Sequence, residues 1–182
     1  MAIDHLLAWL EASSLALRIR DSLYLFPLIE SFHVIGLTMV FGTIAIVDLR
    51  LLGLASSDRR VSRMVLDIMK WTWAAFALAV VTGVLMFITN AGVYFHNFYF
   101  RSKMVLLALS GINMLVFDLT SARSIQQWDR DRAAPAAGKT AAILSLLLWI
   151  GVIFAGRWIG FTSTRGSSTA EPNVNIEDLL PK

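Results

Sequence analysis

The stretch "LYLFPLIESFHVIGLTMVFGTIAIV", residues 23–47, decides the fold of this chain. Apart from Pro27, Glu30, His33 and a few hydroxyl residues, its side chains are apolar or small. A helix needs about 20 mostly apolar residues to cross the hydrocarbon layer of a membrane. A lipid-exposed backbone must also satisfy its hydrogen bonds internally, which a helix does. The stretch therefore predicts a transmembrane helix that carries an acid and an imidazole.

Further apolar runs of the same character occupy residues 71–89, 104–119 and 141–161. The run at 104–119 reaches a spanning length when residues 98–100 and Thr120 lie in the membrane interfaces. The chain is 57% hydrophobic and 16% charged, whereas a soluble domain is about 45–50% apolar and about 25% charged. We therefore predict an all-α integral membrane four-helix bundle in residues 21–162, with no soluble catalytic module.

The two flanking segments differ from the bundle in character. In residues 1–20, apolar and polar side chains alternate at roughly helical spacing, which predicts an amphipathic helix lying in the membrane interface. The apolar members are Leu6, Leu7, Trp9 and Leu10, and the polar ones are Asp4, His5 and Glu11. The acidic start and the lack of a long apolar core argue against a signal peptide. Residues 163–182 are polar and rich in turn formers, so we expect an exposed, partly disordered tail.

Small residues recur at a spacing of four in two of the apolar runs. They are Ala75, Ala79 and Gly83 in the second run, and the pairs Gly151–Ala155 and Gly156–Gly160 in the fourth. Such residues let helix backbones approach closely where no hydrophobic force draws helices together. We expect these positions to lie at helix–helix contacts.

The composition excludes several classes of function. The chain has no cysteine, which rules out disulfides, thiolate metal sites and cysteine nucleophiles. Its net charge is +3, but the basic residues lie mostly at the ends of apolar runs, where topology signals belong. No nucleic-acid-binding motif, phosphate loop or dinucleotide fingerprint is present, so nucleic acid is not an expected partner. Ser31 lies only two positions from His33, so these side chains do not face each other and form no nucleophile–base pair. We assign no catalytic residue.

The basic residues predict the orientation in the membrane. Those of the two long links are Arg50, Arg59, Arg60, Arg63 and Lys70, and Arg123, Arg130, Arg132 and Lys139. Positive residues favour the cytoplasmic side. Both links should therefore be cytoplasmic, and both termini should face the periplasm if the membrane is a bacterial inner membrane.

Polar side chains gather in the outer half of this predicted bundle. His33 should lie roughly 15 Å inside the span, with Glu30 about one turn nearer the outer face. Arg157 of the fourth run should lie at a similar depth, beneath the aromatic outer link at 90–103. Arg157 would neutralise Glu30, and His33 would donate to a carbonyl or to the carboxylate. This structural cluster is one explanation, although an intramembrane ionisable residue is also a functional hypothesis by default.

A b-type haem is the leading functional hypothesis. An imidazole is a common axial ligand of haem iron, and His33 could supply it for electron transfer, with Arg157 meeting a propionate. The second axial ligand could be His96, Met86 or Met104, or His33 of a second copy in a homo-oligomer. The protein would then be at most a redox membrane subunit that serves a redox partner.

Two alternatives remain open. The first is a periplasm-facing copper site built from His33, Glu30, His96 and Met86 or Met104, since imidazole and thioether both suit copper. The Glu-x-x-His spacing occurs once, which argues against a di-iron bundle. The second is a non-enzymatic accessory subunit of a larger membrane complex, or a small transporter. No inverted repeat supports the transporter.

The inner half of the predicted bundle has its own polar residues. Asp48 and Asp118 should pair with Arg50, Lys70 or Arg123 at the cytoplasmic interface, because charges near helix ends reach water cheaply. Ser110 and Asn113, three residues apart on one face, should form interhelical hydrogen bonds.

Two motifs resemble a known group of proteins. "ESFHVIGLTMVFGTIAIVDLRLLGL", residues 30–54, resembles the first span of an uncharacterised family of small four-helix bacterial inner-membrane proteins. "GRWIGF", residues 156–161, resembles the end of that family's last span. The general plan is similar to that of copper-resistance-D and cytochrome-b561-like proteins, whose helix-borne histidines bind haem or lie near metal. The resemblance to the uncharacterised family implies no function. The cytochrome-b561 family has several intramembrane histidines, whereas this chain has one clear case, a departure from a bis-histidine haem site.

Overall fold

A computed structural model describes residues 2–55, 61–120 and 134–167 of the protein. Within these ranges the chain forms helices and no strand. The helices are α1 (Ala2–Glu11), α2 (Ser14–Asp21), α3 (Leu25–Leu51), α4 (Val61–Thr89), α5 (Ala91–His96), α6 (Phe98–Thr120) and α7 (Ala136–Ser167).

Among the described residues, four segments are long and apolar enough to cross a membrane: Leu25–Leu51, Lys70–Thr89, Phe98–Phe117 and Ala136–Thr162. Large apolar side chains are exposed on their outer faces, among them Phe32, Val81, Leu115 and Phe154. Outward apolar faces are expected where hydrocarbon is the solvent. The predicted all-α four-helix membrane bundle is confirmed, and lipid contact follows from it.

The bundle consists of two helix pairs. α3 packs on α4, α6 packs on α7, and contact between α3 and α7 joins the pairs. At Gly36 a Cβ would lie 3.1 Å from both the Ala75 carbonyl oxygen and the Ala79 nitrogen. Gly36 therefore allows the backbones of α3 and α4 to approach each other, and the expected helix contact at Ala75 and Ala79 is present.

The core lies where all four spanning helices meet. Val40, Ala75, Trp149 and Val152 form its buried centre. A Cβ at Gly151 would lie 3.1 Å from Leu106 Cδ1, so this glycine serves the contact of α7 with α6. A Cβ at Gly160 would have no neighbour within 4 Å among the described residues. The expected helix contact at Gly160 is therefore not formed within the part of the chain that the structure describes.

Three short helices cover one end of the bundle, which we call the capped end. It contains the start of α3, the end of α4, the start of α6 and the outer part of α7, and we call the opposite end the link end. Glu11 Oε1 accepts a hydrogen bond from the Gly92 amide at 2.8 Å, which fastens α1 to α5. Asn97 Nδ2 donates to Thr162 Oγ1 at 2.8 Å and ties the α5–α6 turn to α7.

The N-terminal segment forms two helices where one amphipathic helix was expected. The Ser13 hydroxyl accepts from the Ala16 amide at 3.3 Å and caps the start of α2, and such caps favour a new helix start. In α1 the apolar side chains of Ile3, Leu6 and Trp9 are exposed while Leu7 is buried. This leaves an apolar face suited to the membrane interface.

The last helix extends to Ser167, beyond the predicted end of the bundle at residue 162. The remainder of the predicted tail, residues 168–182, lies outside the described residues. So do residues 56–60 and 121–133, which carry much of the basic charge of the two links. The predicted inner-membrane location and orientation stay predictions.

Candidate functional site

The His33 imidazole is held against α4 by a hydrogen bond to the backbone. Its Nδ1 lies 2.9 Å from the Ala79 carbonyl oxygen and 3.1 Å from Thr82 Oγ1. A carbonyl oxygen can only accept, so Nδ1 carries the hydrogen and donates it. In the neutral ring the lone pair therefore resides on Nε2. The sequence-based expectation that His33 donates to a carbonyl is confirmed.

A glycine makes room for this ring. A Cβ at Gly83 would lie 3.0 Å from His33 Cε1, closer than carbon atoms normally approach. The small-residue positions of α4 thus serve two contacts: Ala75 and Ala79 face Gly36, and Gly83 faces the imidazole. Packing and hydrogen bonding together fix the orientation of the His33 ring.

Lys103 is the second conspicuous polar group at the capped end. Its side chain is half-buried and passes over α7, where a Cβ at Gly156 would lie 3.6 Å from Lys103 Nζ. It is close enough to His33 for their charges to interact. No hydrogen bond or ion pair involves Lys103 in residues 2–55, 61–120 and 134–167. A half-buried cation without such a partner is costly in a low-dielectric setting, which makes Lys103 a candidate site residue.

Lys103 is not among the candidate ligands predicted from the sequence. The sequence places this lysine in the outer link at 90–103, whereas in the structure α6 begins at Phe98 and Lys103 lies in its second turn. The available signal was the helix cap at Asn97, whose Oδ1 accepts from the Tyr99 amide at 2.9 Å and the Phe100 amide at 3.3 Å. Asparagine followed by an aromatic run is a helix-start signal.

Glu30 and Arg157 do not form the predicted ion pair. Both side chains are exposed, and the Arg157 guanidinium carbon lies 5.0 Å from the ring centroid of Phe161. Residues four apart on a helix are neighbours, and an arginine over an aromatic face gains a cation–π interaction. Glu30 and Arg157 were predicted to lie at similar depths in the membrane, but their side chains do not point toward each other. The ion pair of the predicted Glu30–His33–Arg157 cluster is therefore wrong.

An aromatic cluster of Phe87, Tyr94 and Phe100 closes the capped end over these groups. The Phe87 and Phe100 rings stack at 5.4 Å, and Tyr94 lies 6.5 Å from the first and 6.0 Å from the second. Burial, and then the negative charge of Glu30, raise the pKa of the Tyr94 hydroxyl. The expected aromatic cover is present, and it links α4, α5 and α6.

The other candidate ligands do not meet His33. His96 is exposed, with Nδ1 2.9 Å from the Gly92 carbonyl oxygen and Nε2 4.0 Å from the Asp4 carboxylate of α1. Met104 is 50% exposed on the outer surface of α6, and Met86 is half-buried in α4. Among the described residues, no group of three or more His, Cys, Asp or Glu could hold a metal ion. The copper site stays a prediction without support from this arrangement.

Asp48, at the link end, differs from the expectation. It is 6% exposed and interacts with the Ser145 side chain of α7, and the described residues show no ion pair between it and Arg50 or Lys70. The expected interfacial pairing is therefore wrong for these two bases, because the end of α3 is covered by α7. Arg123 and the Asp118 side chain lie outside what the structure describes.

Two hydrogen-bond predictions for α6 have different outcomes. Asn113 Nδ2 donates to the Ala141 carbonyl oxygen of α7 at 3.0 Å, which is the expected interhelical bond. Ser110 instead donates to the Leu106 carbonyl oxygen of its own helix at 2.9 Å.

Comparison with protein families matches residues 7–162 to DUF6644, a family of unknown function. Neither the curated proteins nor the solved structures give a match. The similarity of general plan to copper-resistance-D and cytochrome-b561-like proteins therefore stays a prediction.

Proposed function

The chain belongs to DUF6644, a family of unknown function, and we propose that it is a membrane-embedded electron-transfer protein that binds a b-type haem through His33 and Lys103. The observation that carries this proposal is the hydrogen bond from His33 Nδ1 to the Ala79 carbonyl oxygen at 2.9 Å. This hydrogen bond leaves Nε2, the ring nitrogen with the lone pair, as the atom that can coordinate iron.

The environment of His33 has the features of a metal-binding histidine. Such histidines almost always donate their second ring N–H to a carbonyl, a carboxylate or water, which fixes the tautomer and makes the ring a stronger ligand. His33 has this bond, a supporting contact with Thr82, and a glycine beneath its ring. A purely structural histidine would also need its ring N–H satisfied, so what supports the proposal is the combination of this bond with a ring nitrogen that keeps its lone pair.

Lys103 would hold the haem iron from the second helix. A neutral primary amine carries one lone pair, and Lys103, on a different helix, interacts with His33 through its charge. His96, by contrast, is held at the surface by Asp4 and Gly92. A ligand from α6 would therefore complement the ligand from α3 without a second histidine.

The bound haem would supply one-electron chemistry, and the chain would supply ligands and surroundings. The aromatic cluster restricts water at the capped end, and such shielding tunes the potential of a haem iron. Arg157, exposed at the same end, remains available to a propionate. With the predicted orientation the haem would lie in the periplasmic half of the inner membrane, where it would serve a redox partner.

The experiment is an absorption spectrum of the full-length protein, oxidised and reduced, after expression with added haem precursor. We expect a Soret band and a haem content near one per chain, by the one-site arrangement proposed. His33→Ala should lose the band while the chain stays folded, since the ring can be removed without touching the core at Val40 and Val152. A wild-type protein without a Soret band, or a His33→Ala variant with unchanged haem content, contradicts the proposal.

A further inference from the structure

A cavity of about 140 Å³ lies at the link end, between all four spanning helices. Its polar lining consists of Thr43, Asp48, Thr72, Ser110, Asn113 and Ser145. The remaining described lining residues are apolar, and they include Phe117 and Trp149. The cavity is separate from the His33 region and plays no part in the proposed haem site.

Asp48 lines this cavity and has one buried carboxylate oxygen that lacks a hydrogen-bond partner among the described residues. The side chain is 6% exposed, and the Ser145 side chain interacts with its carboxyl group. Among the residues that the structure describes, Oδ2 has no hydrogen-bond partner. A buried carboxylate oxygen without a partner costs several kcal/mol by typical magnitudes, so a compensating ligand is expected.

The threonine hydroxyls and the Ser110 hydroxyl of the cavity have already donated their hydrogens to backbone carbonyl oxygens, and Asn113 has donated one of its two amide hydrogens. The donations run from Thr43 to Met39 and Val40, from Thr72 to Ile68, from Ser110 to Leu106 and from Asn113 to Ala141. A hydroxyl that has given its one hydrogen keeps only oxygen lone pairs to offer. The cavity therefore presents one carboxylate and several neutral oxygen atoms.

We propose that this cavity binds an alkali cation such as sodium, with Asp48 as its charged ligand. Carboxylate, hydroxyl and amide oxygens are the ligands of hard cations. A single carboxylate balances one positive charge, which favours a monovalent over a divalent ion. A volume of about 140 Å³ exceeds the roughly 30 Å³ of one water molecule, so the ion could retain part of its hydration.

The test is the unfolding temperature of the full-length protein in detergent at rising NaCl concentration. N-methylglucamine chloride holds ionic strength constant. A ligand that binds only the folded state raises the unfolding temperature with a saturable dependence. We expect that dependence for sodium in the wild-type protein and its loss in Asp48→Asn, which keeps the shape and removes the charge. The matched control is Asp67→Asn, at an exposed carboxylate of α4, which should respond like wild type.

A second variant covers the case in which Asp48→Asn fails to fold. Ser145→Ala should raise the half-saturating sodium concentration by about tenfold, the change that loss of one hydrogen bond to a charged group produces. Equal responses to sodium and N-methylglucamine overturn the proposal, as does an Asp48→Asn variant that retains the sodium response. A saturable response to calcium alone overturns the monovalent assignment. The readout does not depend on haem, so failure of one proposal leaves the other standing.

Discussion

At the scale of single residues, Lys103 is the feature that most changes the interpretation of the sequence. A lysine could act toward a haem as a neutral ligand to iron or as an ammonium beside a propionate. A substitution that keeps the positive charge should preserve the contact with a propionate but abolish coordination of the iron, so it distinguishes the two roles. Arginine keeps the positive charge and effectively never loses its proton, so it cannot coordinate iron.

We therefore expect Lys103→Arg to convert a six-coordinate, low-spin haem into a five-coordinate, high-spin one. The haem itself should be retained through His33. The change appears as a shift of the Soret band and altered visible bands, and electron paramagnetic resonance measures the spin state directly. Lys103→Met, which offers a thioether, should restore a six-coordinate spectrum. A low-spin spectrum unchanged in Lys103→Arg would show that the lysine is not a ligand.

At the scale of helices, the contact between α3 and α4 depends on Gly36. The atoms that a Cβ would meet there belong to the backbone of α4, so the helices themselves must separate. At Gly42, on the same helix, a Cβ would have no neighbour within 4 Å among the described residues. These two glycines form a matched pair for testing helix contact.

We expect Gly36→Leu to destabilise the bundle by about 1–3 kcal/mol, the usual cost of overpacking. Gly42→Leu should change stability by less than about 0.5 kcal/mol, as surface substitutions do. Thermal unfolding in one detergent, followed by circular dichroism, measures both. If Gly36→Leu unfolds at the wild-type temperature, the close contact of α3 with α4 is not needed for stability.

At the scale of the whole molecule, the four spans were predictable because length and apolar composition are properties of contiguous residues. Contacts between helices were less predictable, because depth along a helix says nothing about the direction a side chain faces. Glu30 and Arg157 illustrate this: similar depth suggested a pair, yet Arg157 lies over Phe161. Asp48 was assigned to the water interface, but α7 buries it through Ser145. Lys103 on α6 and His33 on α3 interact through their charges although they lie far apart in the sequence, so no local pattern contains this relation.

The predicted orientation of the whole molecule is open to direct test, because the chain has no cysteine to remove. We introduce Ser14→Cys, exposed in α2, and, separately, Ser57→Cys in the first link. In intact cells a membrane-impermeant maleimide should label the first and not the second, since positive residues favour the cytoplasmic side. Permeabilised cells, in which both sites should react, are the control. The opposite labelling pattern would reverse the orientation.

Helix α3 carries both His33 and Asp48 on one continuous element, about four turns or roughly 22 Å apart. Unit charges at that separation interact by about 0.8 kcal/mol at an effective dielectric constant near 20, which is close to a fourfold change in an equilibrium constant. An electron arriving at one end of α3 would thus strengthen cation binding at the other, and the cation would raise the midpoint potential in return. Haem reduction near one end of this helix and cation binding near the other would then be thermodynamically linked.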